Sequence, residues 1–301
     1  MTKANRVVGV CAVLVCLLTT LMQPVSASFP GRNGRIAFSS NRSGNFEIYK
    51  VSSRGRNVER LTRNLRSDSN PVWSPNGRRI AFNRGEENRQ EIYKMSSSGG
   101  RLKRLTNNSA RDVDPHWSPS GKKLVFWSNR RGTPDIFSMN SRGGRVRRIT
   151  NSPANDRRPV WSPSGGRILF SRFAATDGDE EIYTMKTDGS DKLKLTDNLA
   201  RNVYADYSPT GDDIVFVRVP NANSSAEIWT MTSDGTAQTR LTTNSRPDYN
   251  PVYSPNGRWI LFQRVRQGSS MDIFKMKLDG SDVTRLTGSD RRDIQPNQQP
   301  K

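Results

Sequence analysis

The chain has 301 residues, a mean hydropathy of −0.77 and a formal net charge of +20. Its 23 glycines and 17 prolines favour many short elements joined by tight turns over long helices. Both cysteines, Cys11 and Cys16, lie in the N-terminal segment. The sequence after that segment therefore offers no disulfide, thiol nucleophile or thiolate metal site.

The first 27 residues have the layout of a secretory signal peptide. Lys3 and Arg6 give a basic start, residues 7–22 are an uncharged apolar run, and Val-Ser-Ala at 25–27 is a small-residue cleavage site. A membrane anchor is the alternative, but this run of 16 residues is shorter than the roughly 20 that a spanning helix needs. We expect cleavage near Ala27, export to the periplasm, the cell wall or the medium, and no stable membrane span afterwards.

The rest of the chain repeats one unit. A Ser-Pro-x-Gly turn ends at Gly77, Gly121, Gly165, Gly211 and Gly257, with spacings of 44, 44, 46 and 46 residues. Each unit has four strand-like pieces: Pro-x-Trp/Tyr-Ser-Pro, an alternating apolar piece with Ile or Leu and Phe, an acidic-Ile-aromatic piece, and a short piece ending in Thr. Alternation with period two is typical of strands. Four short antiparallel strands per repeat predict an all-β propeller.

The number of pieces predicts six blades and a ring closed by the C-terminus. The second, third and fourth pieces occur six times, but the complete first piece occurs five times. Residues 293–300 (Asp-Ile-Gln-Pro-Asn-Gln-Gln-Pro) align with residues 68–75 (Asp-Ser-Asn-Pro-Val-Trp-Ser-Pro). We therefore expect the tail to form the inner strand of blade one, because an open ring would leave a strand edge unpaired. A disordered tail is the alternative.

These units resemble the WD40-like (PD40) repeats of the TolB propeller family. The resemblance rests on Asp-x-x-Pro-x-Trp-Ser-Pro-x-Gly, Ile-Ala-Phe, Glu-Ile-Tyr and Arg-Leu-Thr, repeated over residues 31–300. It implies a TolB-like propeller over residues 28–301 and an extracytoplasmic interaction role. Two departures limit it: we find no room for the α/β domain that precedes the propeller in TolB, nor for the hydrolase domain of the peptidases with similar propellers. The resemblance does not transfer a named partner.

Few residues suggest catalysis. The single histidine, His116, takes a slot that Val72 and Val160 hold in other units, so we interpret it as a strand residue. One histidine cannot build a multi-histidine metal site, and Gly-x-Ser-x-Gly, P-loop and dinucleotide motifs are missing from the sequence. We predict no catalytic residue, metal or cofactor. Carboxylates in the channel leave a carbohydrate-active enzyme, a polysaccharide lyase or hydrolase, as the alternative.

Repeated charges have structural explanations. An aspartate three residues before each inner-strand proline is expected to cap turn N–H groups. An arginine that follows each second strand is expected to pair across the hairpin with the acidic residue that opens the third strand. The aspartates are Asp68, Asp112, Asp156, Asp248 and Asp293; the arginines are Arg42, Arg84, Arg130, Arg172, Arg218 and Arg264; the acidic residues are Glu47, Glu91, Asp135, Glu181, Glu227 and Asp272.

The net charge is uneven along the chain. Residues 28–165 contain 28 Lys+Arg and 10 Asp+Glu, a net of +18, whereas residues 166–301 contain 18 of each. Both halves repeat the same unit, so folding alone does not explain the excess. Arg66, Arg111, Arg157 and Arg158 lie in basic loops between the early blades and are our candidate anion contacts, because a guanidinium binds phosphate or carboxylate with two hydrogen bonds.

The sequence thus favours an exported, monomeric binding or scaffold protein of the cell envelope. Its expected partner is an envelope protein or an anionic wall polymer, attracted by the basic side of the propeller. The charge alone would also permit nucleic-acid binding. Export argues against that as a physiological role, and the aromatic residues fall at strand positions that face the core. Charge does not choose between the two faces of the ring, because the early loops are basic on both.

Overall fold

A computed structural model describes residues 30–86, 88–174, 179–221 and 224–301. The predicted signal peptide, residues 1–27, lies outside the described residues. The described residues form 24 strands in six four-stranded antiparallel sheets. Five sheets are consecutive in sequence, and the sixth has the order β24-β1-β2-β3. This is the predicted six-bladed propeller, and the C-terminal strand closes the ring.

Each blade runs from an inner strand at the channel to a short outer strand. The inner strands are β24 (Asp293–Pro300), β4 (Asp68–Trp73), β8 (Asp112–Trp117), β12 (Asn155–Trp161), β16 (Arg201–Tyr207) and β20 (Asp248–Tyr253). The second strands are β1 (Asn33–Ser43), β5 (Arg79–Glu86), β9 (Lys123–Ser128), β13 (Arg167–Phe173), β17 (Asp213–Val219) and β21 (Ile260–Val265). The third strands are β2 (Asn45–Val51), β6 (Arg89–Ser96), β10 (Asp135–Asn140), β14 (Glu180–Lys186), β18 (Glu227–Thr232) and β22 (Met271–Met276). The fourth strands are β3 (Glu59–Arg60), β7 (Lys103–Arg104), β11 (Arg147–Arg148), β15 (Leu193–Lys194), β19 (Thr239–Arg240) and β23 (Thr284–Arg285).

The apolar core lies between neighbouring blades. One cluster joins Val72, Ile92 and Leu105 of the second blade to Trp117 and Phe126 of the third, and the other large clusters repeat this arrangement around the ring. Every second strand buries the phenylalanine that the alternating pattern predicts. Burying such side chains between sheets contributes about 1.5–3 kcal/mol each.

Blade one joins the two ends of the chain. β24 pairs antiparallel with β1, with Ser40 opposite Asp293 and Ile36 opposite Gln298.

Neighbouring blades also approach closely at their outer edges. Gly55 adopts a φ of +78°, and a side chain there would meet the backbone oxygen of Leu286 in blade six at 2.5 Å. Glycine is therefore required at this turn by both its backbone conformation and the close approach.

The threonine predicted to end each fourth strand accepts a hydrogen bond that a backbone carbonyl would accept in a longer strand. The fourth strand of blade one ends at Arg60, two residues earlier than the sequence pattern indicates. Leu61 still donates its backbone N–H to Ile48, but the Ile48 N–H donates to the hydroxyl of Thr62 at 2.9 Å. That hydroxyl donates in turn to Glu47 at 2.5 Å. The side chain thus satisfies a backbone donor that would otherwise be buried without a partner.

The arginines after the second strands bind the inner strand of their own blade. Arg84 donates from Nε and Nη2 to the two carboxylate oxygens of Asp68 at 2.6 and 2.8 Å, and its guanidinium lies over the rings of Phe82 and Tyr93. Equivalent contacts are Arg42–Asp293, Arg130–Asp112, Arg172–Asp156, Arg264–Asp248 and Arg218–Asn202. These aspartates are completely buried, so their charge requires a paired cation.

Two details predicted for the repeated charges are therefore wrong. Arg84 lies opposite Glu91 in the hairpin, as expected, but Glu91 forms its ion pair with Arg104 of the fourth strand at 2.9 Å. The aspartates do not cap the turns either, because arginine and asparagine side chains occupy them. Asn64 caps instead, accepting the backbone N–H of Arg66 at 2.9 Å.

Deleting residues 293–301 should lower Tm by about 10 °C or more, because β1 would lose its partner and six inner strands would become five. A loss of 1 kcal/mol shifts Tm by about 2–4 °C in a protein of this size. Circular dichroism melting of the deletion, compared with removal of Lys301 alone, measures the effect. An unchanged Tm in the longer deletion would contradict the role given to β24.

Arg84→Ala should reduce the free energy of unfolding by about 3–5 kcal/mol, because it leaves the buried Asp68 carboxylate without its cation. Arg66→Ala is the matched control: Arg66 is exposed and should cost about 0.5 kcal/mol or less. Urea unfolding of both variants tests this. If both variants lost the same free energy of unfolding, the pairing of Arg84 with Asp68 would not be the cause.

Candidate functional site: the channel mouth

The six inner strands enclose a cavity of about 320 Å³ at one end of the channel. It is lined by the middle residues of each inner strand, around three residues in from the end at which the loop from the preceding blade arrives. We call this side of the ring the entry face; it carries the loops between blades and the hairpins between second and third strands. The opposite face carries the Ser-Pro-x-Gly turns and the turns between third and fourth strands.

A bulge in each inner strand places one side chain at the channel mouth. The pairing of β4 with β5 shifts register between Ser69 and Val72, and the other inner strands shift at the equivalent place. The bulged residue has a positive φ in every blade and lines the cavity. Bulges commonly redirect a side chain in this way. The six bulge residues are Asn70, Asp114, Arg158, Tyr204, Asn250 and Gln295.

Three of the predicted anion contacts meet at this cavity; we call Arg111, Arg157 and Arg158 the arginine cluster. The guanidinium carbons of Arg111 and Arg157 lie 5.2 and 5.4 Å from the ring centre of Trp127. Arg158 lies 4.2 Å from the ring centre of Tyr204 and donates to Glu180 at 2.5 Å. Stacking on an aromatic face stabilises each cation by about 0.5–2 kcal/mol.

Arg66, the fourth predicted contact, lies elsewhere. It is exposed on the loop before β4 and does not line the cavity. Its backbone carbonyl accepts a hydrogen bond from Asn45 at 2.7 Å. Its position in the repeat differs by one residue from that of Arg111, which stands directly before the buried aspartate.

Arg157 is the least compensated cation of the cluster. Its Nε is buried and has no hydrogen-bond partner among the described residues. Burial lowers the pKa of Arg157 below the ordinary arginine value, and the neighbouring Arg158 lowers it further. Removing a guanidinium from water without a matching carboxylate is unfavourable. An anion in the cavity would offset that cost.

Sequence reasoning missed the aromatic side of the site. Trp127 donates from Nε1 to Asp114 at 2.8 Å, and Tyr204 packs edge-on against Tyr249 at 6.4 Å. The sequence does mark Trp127 as unusual, because it departs from the repeat. Trp127 takes a second-strand position that holds Ser39, Asn83, Ser171, Val217 and Gln263 in the other blades.

Below the bulge residues, a second ring of side chains alternates between valine and a hydrogen-bond acceptor. Blades two, four and six place Val72, Val160 and Val252 there, and blades three, five and one place His116, Asp206 and Asn297. Each acceptor receives the backbone N–H of the next inner strand. The three contacts are Trp161 to His116 at 3.3 Å, Tyr253 to Asp206 at 3.1 Å and Trp73 to Asn297 at 2.8 Å.

Burial shifts both titratable acceptors toward their neutral forms. It lowers the pKa of His116 to about 4, so this histidine is neutral at pH 7 and accepts through Nδ1. It raises the pKa of Asp206 to about 7, although two backbone hydrogen bonds favour the charged form. His116 therefore lies in a strand, in the valine-like slot that its place in the repeat indicates.

Asp206→Asn should stabilise the protein at alkaline pH. The folded pKa of about 7 exceeds the ordinary value of 3.8, so the protein with its native carboxyl loses stability as pH rises from about 4 to about 7, and the loss stays constant at higher pH. Each pKa unit corresponds to about 1.4 kcal/mol, so the variant should gain a few kcal/mol at pH 8 and little at pH 4. Asn297 already makes the equivalent contact in blade one. Tm measured across this pH range tests it; a gain independent of pH would contradict the assignment.

The described ranges contain neither a metal-binding cluster nor a membrane-spanning helix. No group of three or more His, Cys, Asp or Glu in the described parts of the chain could hold a metal ion. Within those same ranges, no helix is long and apolar enough to cross a membrane.

Sequence comparison gives two matches to TolB. The family model described as the TolB beta propeller domain (PD40) matches residues 66–176. The Tol-Pal system protein TolB of Geobacter sulfurreducens is 47% identical over 58 residues, which is 19% of this chain and 13% of that protein. The matched segment is thus a small part of the relative's length.

Solved structures share the fold at lower identity. TolB from Acinetobacter baumannii superposes with a TM-score of 0.76 at 23% identity, covering 89% of this chain and 67% of that one. Hydrazine synthase of Kuenenia stuttgartiensis gives 0.75 at 14% identity, covering 91% and 48%. At these identities the solved structures establish the propeller architecture alone. Both sequence matches, in contrast, name TolB. From the repeat, the closed six-bladed ring and these matches together, the chain is a TolB-like β-propeller.

Proposed function

We propose that this chain is an exported binding or scaffold protein of the cell envelope that recognises an anionic partner at the entry face. The observation that carries the proposal is the arginine cluster around Trp127 at the channel mouth. The TolB-like propeller is consistent with a periplasmic scaffold that binds proteins, and the predicted signal peptide is consistent with export.

The contrast between repeated and unrepeated arginines supports this function. Arg84 and its equivalents occur in every blade and mostly hold a buried carboxylate. Arg157 occurs in one blade and has no ion pair among the described residues. The repeated arginines are therefore explained by folding, whereas the cluster adds positive charge where the ring has an opening. Such a field attracts anionic partners and increases their association rate.

The arginine cluster also favours one face. The early loops are basic on both sides, but on the entry face three guanidiniums converge on one concave site. Exposed arginines on the opposite face, such as Arg54 and Arg56, lie in a surface turn. A concave site that removes water from the ligand strengthens a charged contact more than an open turn does.

The channel carboxylates give less support to the carbohydrate-active enzyme. Asp114 and Asp206 line the same cavity, as that alternative requires. Both carry structural hydrogen bonds, however: Asp114 accepts from Trp127 and Asp206 from the backbone of Tyr253. Their contacts therefore hold neighbouring strands in place, and binding is the function that we favour.

The test is binding of the purified protein to immobilised polyglutamate, a stand-in for an acidic protein, and to polyglycerol phosphate, a wall-type polymer. Affinity for at least one should fall as salt rises. Arg111→Ala/Arg157→Ala should lower it by about tenfold or more, equivalent to about 1.4 kcal/mol. The polymer that binds more tightly identifies the partner class.

Arg54→Ala/Arg56→Ala is the matched control, because it removes the same charge from the opposite face. It should change affinity by less than about threefold, since exposed charges contribute little individually. Equal losses in the two double variants, or binding that does not respond to salt, would contradict an anion site at the entry face.

A further inference from the structure

The channel mouth contains two cations that the fold neutralises only in part. Arg111 donates from Nε to the neutral side chain of Gln90 at 2.9 Å, and Nε of Arg157 has no hydrogen-bond partner in the described part of the chain. Neither forms an ion pair within the described ranges of the chain, whereas Arg158 is paired with Glu180 at 2.5 Å. Two guanidiniums held beside one tryptophan ring repel each other, so they favour an anion that both can contact.

Acidic groups that face the cavity only partly cancel this charge. Glu180 is shared between Arg158 and Arg201, at 2.5 and 2.9 Å, and its charge also raises the pKa of Arg157. Asp114 raises the pKa of Arg157 less than Glu180 does, and its Oδ2 accepts the Trp127 N–H. Asp206 lies one ring deeper, next to the valines. Counted together, these groups leave the side of the cavity near Trp127 positive.

The opposite side of the cavity is uncharged and polar. Asn70 and Asn250 each donate one hydrogen bond at 2.9 Å, to Asn83 and Gln263 respectively. A primary amide has two donors and an acceptor oxygen, so each retains hydrogen-bonding capacity toward the channel. Gln295 completes this group, which we call the amide side. Amides in this arrangement suit hydroxyl groups, which both donate and accept.

Size limits the ligand. A cavity of about 320 Å³ is at the lower end of the range for small-molecule sites. Val72, Val160 and Val252 line the deeper part of the same cavity and offer no polar contact. A ligand that fills this cavity would place its charged group beside Trp127 and its polar body beside the amides.

We propose that the cavity binds one ligand of monosaccharide size that carries a carboxylate or phosphate on a hydroxylated body, with Arg111 and Arg157 on the oxyanion and the amide side on the hydroxyls. This inference deepens the proposed function and rests on it for the choice of face. A free acidic sugar and the end group of an acidic polymer present the same chemistry to the site.

Isothermal titration at fixed ionic strength tests the proposal with glucuronate, glucose 6-phosphate, inorganic phosphate and glucose. At least one of the two anionic sugars should bind with a stoichiometry of one, and more tightly than inorganic phosphate. Glucose should not bind in the same concentration range. Arg157→Lys should weaken binding by at least about tenfold, because lysine keeps the charge but lacks the planar pair of donors.

Asn250→Leu should weaken binding of the sugars without changing the response to inorganic phosphate, which isolates the amide side. Arg66→Ala, on the same face but outside the cavity, should leave all affinities unchanged. Thermal melting confirms that each variant is folded. Equal affinity for glucose, several equivalent sites, or an unchanged affinity in Arg157→Lys would overturn the proposal.

The two proposals fail separately. If no small anion binds but polymer binding still depends on Arg111 and Arg157, the small-ligand site is wrong and the anionic partner stands. If the acidic sugar binds with the expected dependence on Arg157 while neither polymer does, the cavity is a small-molecule site and the scaffold function is wrong. Comparison of glucuronate with a short oligomer that ends in glucuronate distinguishes the free ligand from a chain end.

Discussion

The pairing of β24 with β1 is the constraint on which the remaining structure depends. A propeller blade buries its faces only against neighbouring blades, so a ring with one incomplete blade exposes apolar surface on two sides. Here the chain supplies the missing inner strand from its last residues, and Asn297 then accepts the N–H of Trp73 in the next blade. Closure brings six inner strands around one axis, and every feature of the channel mouth follows from that convergence.

Convergence also explains why the bulges matter. A regular strand would alternate its side chains between the two faces of the blade, toward the neighbouring blades. The bulge residue adopts a positive φ and lines the channel instead, once in each blade. Six such residues meet at the mouth. Because nothing in the repeat requires them to be the same, this ring differs from blade to blade: three amides, an acid, an arginine and a tyrosine.

The sequence was sufficient for the architecture because each blade repeats the same contacts. Alternation located the second strands, and the spacing of aspartate and prolines placed the closing strand. Ion-pair partners could not be read in the same way. The repeat places both Asp68 and Glu91 near Arg84. Arg84 pairs with Asp68, which is completely buried, because Glu91 has Arg104 as its own partner. Trp127 was missed because it brings Arg111, directly before β8 of its own blade, together with Arg157 of the next blade, and no repeat pattern records that contact between blades.

Departures from the repeat are therefore the informative residues in such a protein. Arg84, Thr62 and Asp68 recur because every blade needs the same buried hydrogen bonds, and they carry no information about a ligand. Arg157, Trp127 and Tyr204 occur once each, and all three line the same cavity. Folding does not require these three residues to meet, because blades with serine or valine at the Trp127 position form the same four-stranded sheet. One side of the cavity is basic and aromatic, and the other side consists of amides. A ligand that is itself charged at one end best explains this arrangement.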